Sequence, residues 1–312
     1  MASSPTNRIA AALLATAIFI LLSAGWLATP LAAQTTPGSR CASGAAMEAR
    51  SGWVWLPRGQ IFCPLVADPK GERSFVSYLR GDFATIANPE PGARTDIAAV
   101  GLSDGVAIAR WAGARPGDGI QLDLAGAVFA QLNLGLPSFD LINQDYLVGL
   151  PLTFRRGGFS GRLRVYHQSS HLGDEFLLAR QPERVNLSFE SLELLLSQEV
   201  GPVRVYGGGE TFFRREPEEL ASRLVHAGAE FHQPVFGGLA AVAALDVKAV
   251  DDQGWITSWS ASAGMEVARI GGAGHPSRAI SLVAEYYDGA APYGQFYRDN
   301  IQYWGLALTL SR

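Results

Sequence analysis

From about residue 97 to the end of the chain, apolar and polar residues alternate over segments unusually long for strands. Between Ile120 and Leu134 one face carries Ile120, Leu122, Leu124, Val128, Ala130, Leu132 and Leu134. The other carries Gln121, Asp123, Phe129, Gln131 and Asn133, a period of two that predicts β-structure. The pattern returns in Tyr146, Val148, Leu150, Leu152 and Phe154, and in Leu163 and Val165 opposite Arg162 and Arg164. It returns again in Val185, Leu187 and Phe189 opposite Arg184, Asn186, Ser188 and Glu190, then over 225–231, 239–247, 255–261, 280–286 and 304–310. With two shorter segments near 97–102 and 106–111, about twelve strands are predicted.

Strands of soluble proteins mostly run five or six residues, whereas a tilted strand needs roughly 9 to 11 to cross a bilayer. Lipid cannot satisfy an open sheet edge, so a spanning sheet has to close. The expected fold is therefore all-β, a closed antiparallel transmembrane β-barrel of about 12 strands, apolar outside and polar inside. The soluble alternative is a lipocalin-like barrel or sandwich with the apolar face inward, and alternation alone does not say which face is outside. Loop lengths favour the membrane. With a periplasmic C-terminus, 289–300, 213–221, 172–183 and 135–144 are long and external, while 233–236, 200–202 and 157–160 are turn-like and periplasmic. The short Asp251-Asp252-Gln253-Gly254 and the long 269–277 run against this trend. Trp255, Trp259, Tyr286, Tyr287, Tyr303 and Trp304 read as interfacial girdles.

Residues 9–33 form an apolar stretch after Arg8 that ends in small residues, so 1–33 reads as a signal peptide cleaved after Ala33, with an uncleaved anchor as the alternative. Residues 34–96 lack sustained alternation and carry turn sequences such as Pro89-Glu90-Pro91-Gly92. They are expected to form a periplasmic segment able to fold over or into the barrel mouth, leaving 97–312 as the barrel. Composition agrees. Charged residues are only 17% and glycine is 35 of 312, as expected where lipid replaces charged surface. A net charge of -4 gives no sign of a nucleic-acid partner, and Walker, Cys-x-x-Cys and His-Glu-x-x-His motifs are missing. Cys41 and Cys63 suit one disulfide in an oxidising compartment, a catalytic thiol being the other reading. Gln121, Asp123, Arg162, Arg164, Arg204, Glu210 and Glu230 are expected to line a lumen narrow enough for side chains to fill.

One stretch departs from generic barrel: Tyr166-His167-Gln168-Ser169-Ser170-His171-Leu172-Gly173-Asp174-Glu175. His167, Ser169 and His171 continue the lipid-facing row of Leu163 and Val165, with i, i+2 neighbours roughly 6.6 Å apart. Three readings fit these residue types. They form a structural rim bonded to loops and water, a lipid hydrolase or acyltransferase with Ser169 as nucleophile and His167 as base, or a metal site of His167 or His171 with Asp174 and Glu175. Calcium is expected at such a metal site if carboxylates dominate, and a transition metal if imidazoles do.

The run DYLVGLPLTFRRGGFSGRLRVYHQSSHLGDEF, with FCPLVADPK, NLSFES and RVYGGGE, resembles the bacterial domain-of-unknown-function family twelve-oh-seven, exported barrel-like proteins without an assigned activity. Locally, His167-Gln168-Ser169 is similar to the His-x-Ser strand of the outer-membrane phospholipase A family, calcium-dependent barrels of twelve strands. That resemblance implies Ser169 as nucleophile, His167 as general base and an asparagine on the next strand to orient the histidine. Asn186 is the nearby candidate, but its row, with Arg184, Ser188 and Glu190, reads as inward-facing, so it meets His167 only through a bulge. The phospholipase family follows its serine with Asn-Gly, where this chain has Ser170-His171. The last strand, 303–310, resembles the signal read by the outer-membrane assembly machinery, although the chain ends on Ser311-Arg312 instead of an aromatic residue. Outer-membrane lipid and that machinery are the partners expected of an outer-membrane protein. The first role expected is a structural or small-solute-conducting barrel and the second a lipid-acting enzyme.

Overall fold

The computed structural model describes residues 51–83, 94–115, 117–182, 185–236, 238–251, 254–270 and 278–311. The expected signal peptide, Cys41 and much of 269–277 lie outside them. Cys63 is disulfide-bonded.

Among the described residues there are thirteen strands: β1 Gly52–Trp55, β2 Ser74–Asp82, β3 Arg94–Ala112, β4 Gly119–Asn133, β5 Leu141–Arg156, β6 Phe159–Leu172, β7 Leu187–Val200, β8 Val203–Glu216, β9 Arg223–Pro234, β10 Ala240–Val250, β11 Ile256–Ile270, β12 Arg278–Ala290 and β13 Asn300–Ser311. A short helix, α1 (Asp174–Arg180), lies between β6 and β7. From β2 onward each strand pairs antiparallel with its neighbour, and β13 pairs back onto β2, so twelve strands close. The short β1 sits outside this ring on the end of β3.

Two elements differ from the alternation. The segments expected near 97–102 and 106–111 are one 19-residue strand, β3, carried past its irregularity by a bulge at Ala107/Ala109. The barrel also begins at Ser74, because β2 closes it. That strand is hard to read from sequence: its outward row is Val76, Tyr78 and Arg80 and its inward row Ser77, Leu79 and Gly81, so neither row is uniformly apolar.

Side-chain facing decides between membrane and soluble barrels. Leu306 and Val148 are 53% and 51% exposed, while Arg162 and Glu193 are 6% and 5% exposed. A soluble protein does the reverse, whereas a membrane barrel presents its leucines and valines to lipid. Trp259, Tyr286 and Trp304 lie on that outer face as girdle residues should, but Tyr287 and Tyr303 turn inward and stack at 5.4 Å.

The lumen is filled in two layers. Towards the end with the longer loops, Phe83, Ile97, Ile142, Phe176 of α1, Phe296 and Tyr303 form an apolar cluster. The loop between β12 and β13 is anchored there by the Gly294 N–H, which donates to the Asp145 carboxylate at 3.1 Å. Towards the other end, residues 56–73 run through the barrel as a strap. Arg155 Nε donates to the Ile61 carbonyl at 2.7 Å, Arg204 Nη2 to the Cys63 carbonyl at 3.0 Å, and the Val66 N–H to Glu230 at 2.7 Å. Ion pairs finish the attachment: Asp68 with Lys248 at 2.6 Å, Lys70 with Asp145 at 2.6 Å and Arg73 with Glu285 at 3.4 Å. Glu72 bridges Arg162 and Arg164 at 3.4 and 2.5 Å, and Glu193 bridges the same two guanidinium groups from the wall at 2.8 and 2.7 Å. Buried charges held this way satisfy one another and leave little space. Cavities beside the strap measure about 30 Å³ and about 20 Å³, room for a water molecule or so.

Candidate functional site on the outer wall

With the lumen occupied, the polar groups free to meet a ligand lie on the outside. On β6 the rows are clean: Arg162, Arg164, Tyr166 and Gln168 are buried inside, while Leu163, Val165, His167, Ser169 and His171 face out. His167 and Ser169 therefore share the lipid-facing row that the alternation predicts.

The facing of β7 is opposite to the sequence expectation. Ser188 pairs with Ser169 and Glu190 with His167, and cross-strand partners share a face, so Ser188 and Glu190 point outward. Leu187 is buried, and Phe189 packs edge-on against Tyr166 and Phe212. The phase of this strand is set lower down, where Leu192 and Leu194 meet lipid and Glu193 takes the lumen arginines. Propagated upward, that phase turns the apolar residues above it into the core beneath the loops. Asn186 lies one residue beyond the last pair, Ser170 with Leu187, so it aligns with the His171 end of β6 rather than with His167. No bulge brings it back.

The partner of His167 is Glu190, with Nδ1 and Oε1 3.1 Å apart. The second carboxylate oxygen of Glu190 lies 3.7 Å from Nε of the exposed Arg214 on β8. If Glu190 accepts from Nδ1–H, the Nε2 of His167 carries the lone pair. Val185, Leu187 and Phe189 imply one phase for β7 and Leu192, Leu194 and Leu196 the other, and only the second puts Glu190 on the row of His167. Beside the pair lies an open groove of about 470 Å³ whose lining includes Gly126, Tyr146, Val148, His167 and Ser169.

The expected metal donors do not converge. His171 packs edge-on against Tyr146 at 5.9 Å, while Asp174 and Glu175 occupy the exposed first turn of α1. Among the described residues no group of three His, Cys, Asp or Glu side chains is placed to hold a metal ion.

A family model described as "Protein of unknown function (DUF1207)" matches residues 21–311. The chain belongs to this family. Among solved structures, this DUF1207 protein is similar to the Salmonella typhi outer membrane phospholipase dimer with bound calcium, at 15% identity and a TM-score of 0.52, covering 78% of this chain and 94% of that one. It is similar also to Escherichia coli outer membrane phospholipase A, at 14% identity and a TM-score of 0.53, covering 77% and 92%. At such identities the likeness shows the fold alone. No curated protein matches the sequence. The barrel and these neighbours together suggest an outer-membrane location for this DUF1207 protein.

Proposed function

We propose that this protein is an outer-membrane barrel sealed against solutes, whose working surface is its lipid-facing wall. The support for sealing is the strap at 56–73, which occupies the lumen through ion pairs to β5, β6, β10 and β12. Conduction, the other form of the structural role, has no such support. A specific observation favours a second reading, hydrolysis of lipid esters on that wall: the His167–Glu190 contact beside Ser169.

The chemistry runs through three side chains. Glu190 holds the Nδ1–H of His167, leaving Nε2 to take the hydroxyl proton as Ser169 Oγ adds to the ester carbonyl. The imidazolium returns that proton to the departing alcohol, and the acyl group remains on Ser169. Water, deprotonated by the same nitrogen, then releases the fatty acid and restores the serine. Glu190 stabilises the imidazolium and fixes its tautomer, the part an asparagine would play in the resemblance to phospholipase A. An acidic group in that position does both more strongly than a neutral amide. The metal part of the resemblance is not carried over, since the donors are apart.

The test uses purified full-length protein in mixed micelles of phospholipid and detergent. Release of fatty acid that disappears in Ser169→Ala, and falls roughly 100-fold or more in Glu190→Gln, supports the enzyme reading. Both variants should keep the wild-type unfolding temperature. If the wild type releases no fatty acid, with or without added calcium, the wall is structural.

A further inference from the structure

One line of cross-strand neighbours crosses the candidate site on the outer wall. Asp104 on β3 faces Gly126 on β4, Gly126 faces Val148 on β5, Val148 faces His167 on β6, and His167 faces Glu190 on β7. The line has charge at both ends and an apolar dip between them, and the dip is the 470 Å³ groove that reaches Ser169.

Gly126 makes the dip, and the fold does not require glycine there. Its φ is not positive, and an added Cβ would meet only the Leu147 carbonyl oxygen at 3.6 Å, an ordinary contact. Gly149, on the neighbouring strand, is different: a Cβ there would strike the Cβ of Tyr166 at 2.7 Å. Glycine inside a strand loses more chain entropy than alanine and offers no side chain to pack, so its presence at 126 goes unexplained by stability. Asp104 is equally unexpected. It is 62% exposed on the lipid-facing row between Leu102 and Val106, with Arg278 3.9 Å away, and charge on that face of a barrel is destabilising.

We propose that this groove binds one acyl chain of a membrane lipid, with the carboxyl end at Ser169 and His167 and the methyl end stopped short of Asp104. Gly126 is the residue that admits the chain. The occupant follows from position, since the groove opens into the hydrocarbon belt, where lipid chains are the molecules present. Three strand spacings of about 4.8 Å separate Asp104 from His167, so the apolar floor is roughly 14 Å long and suits a medium-length chain. Binding here requires no turnover, so the inference extends beyond the hydrolase reading.

The experiment places the full chain in phosphatidylcholine vesicles containing a phosphatidylcholine with a diazirine on one acyl chain. After photolysis the labelled peptides are mapped by mass spectrometry. Label should concentrate on β4 and β5 and fall roughly tenfold or more in Gly126→Leu, which fills the groove. If that variant does not fold, Val148→Trp obstructs the same space. Label spread evenly around the barrel, or unchanged in the filled variants, overturns the proposal. Turnover gives a separate readout with butyrate, laurate and palmitate esters. Gly126→Leu should lower the ratio of laurate to butyrate cleavage roughly tenfold, while Asp104→Leu should move the preference towards palmitate; an unmoved preference refutes the stop. Absence of cleavage of every ester with labelling still confined to the groove defeats the enzyme reading and upholds this one. Ser169-dependent cleavage with evenly spread label does the reverse.

Discussion

Replacing Glu72 with glutamine tests whether the strap is held by charge. Arg162 and Arg164 each contact two carboxylates, Glu72 on the strap and Glu193 on the wall, at distances between 2.5 and 3.4 Å. Glu72→Gln leaves two buried guanidinium groups sharing one carboxylate. Removing one partner of a buried ion pair costs about 3 to 5 kcal/mol, and the amide carbonyl, which still accepts one hydrogen bond, puts this case near 3. For a domain of this size each kcal/mol lowers the unfolding temperature by about 2 to 4 °C, which gives a fall of roughly 6 to 12 °C. The assay is the temperature at which the folded, fast-migrating band is lost on detergent gels. Adding Arg164→Gln removes the surplus charge and should recover part of the loss, as coupled neighbours do. In planar bilayers the wild type should give no current steps and Glu72→Gln should give intermittent ones. An unchanged unfolding temperature, with no recovery in the double variant, would refute the electrostatic account; steady wild-type conductance would refute the sealed lumen.

Phe83→Ala should lower the unfolding temperature comparably, since Phe83 is fully buried, stacks on Tyr303 at 5.7 Å and typically costs about 3 to 5 kcal/mol to truncate; a negligible shift would mean the external cluster contributes little. Asp251, in the turn after β10, supplies a pH dependence outside the membrane. Partial burial pushes its carboxyl up, but the hydroxyl and N–H of Ser222 outweigh this and hold it below its ordinary value. A depressed carboxylate stabilises the fold above its unfolded pKa, and the contribution disappears as pH falls through the depressed value. Protection of the Ser222 amide, corrected for intrinsic exchange, should therefore persist at neutral pH, fall on acidification and be lacking at every pH in Asp251→Ala. Protection unchanged in that variant would show that the turn is held by other contacts.

The alternation determined the class of fold because strand side chains repeat every two residues, and leucines spaced to that period over membrane-length segments have few other places to go. It also placed His167 and Ser169 on the outer row, since Leu163 and Val165 fix the phase of β6 and that strand pairs without a register shift as far as Ser170. The closing strand β2, the strap and the pairing of His167 with Glu190 were settled only in three dimensions. β2 lacks a uniform face, and the strap has no period because its contacts are made one at a time with different strands. Glu190 depends on which half of β7 sets the phase, and that was decided by Glu193 answering two arginines across the lumen. Local pattern is a one-strand property; ion pairs between residues such as Glu72 and Arg164, 92 positions apart, exist only once the ring has closed around them.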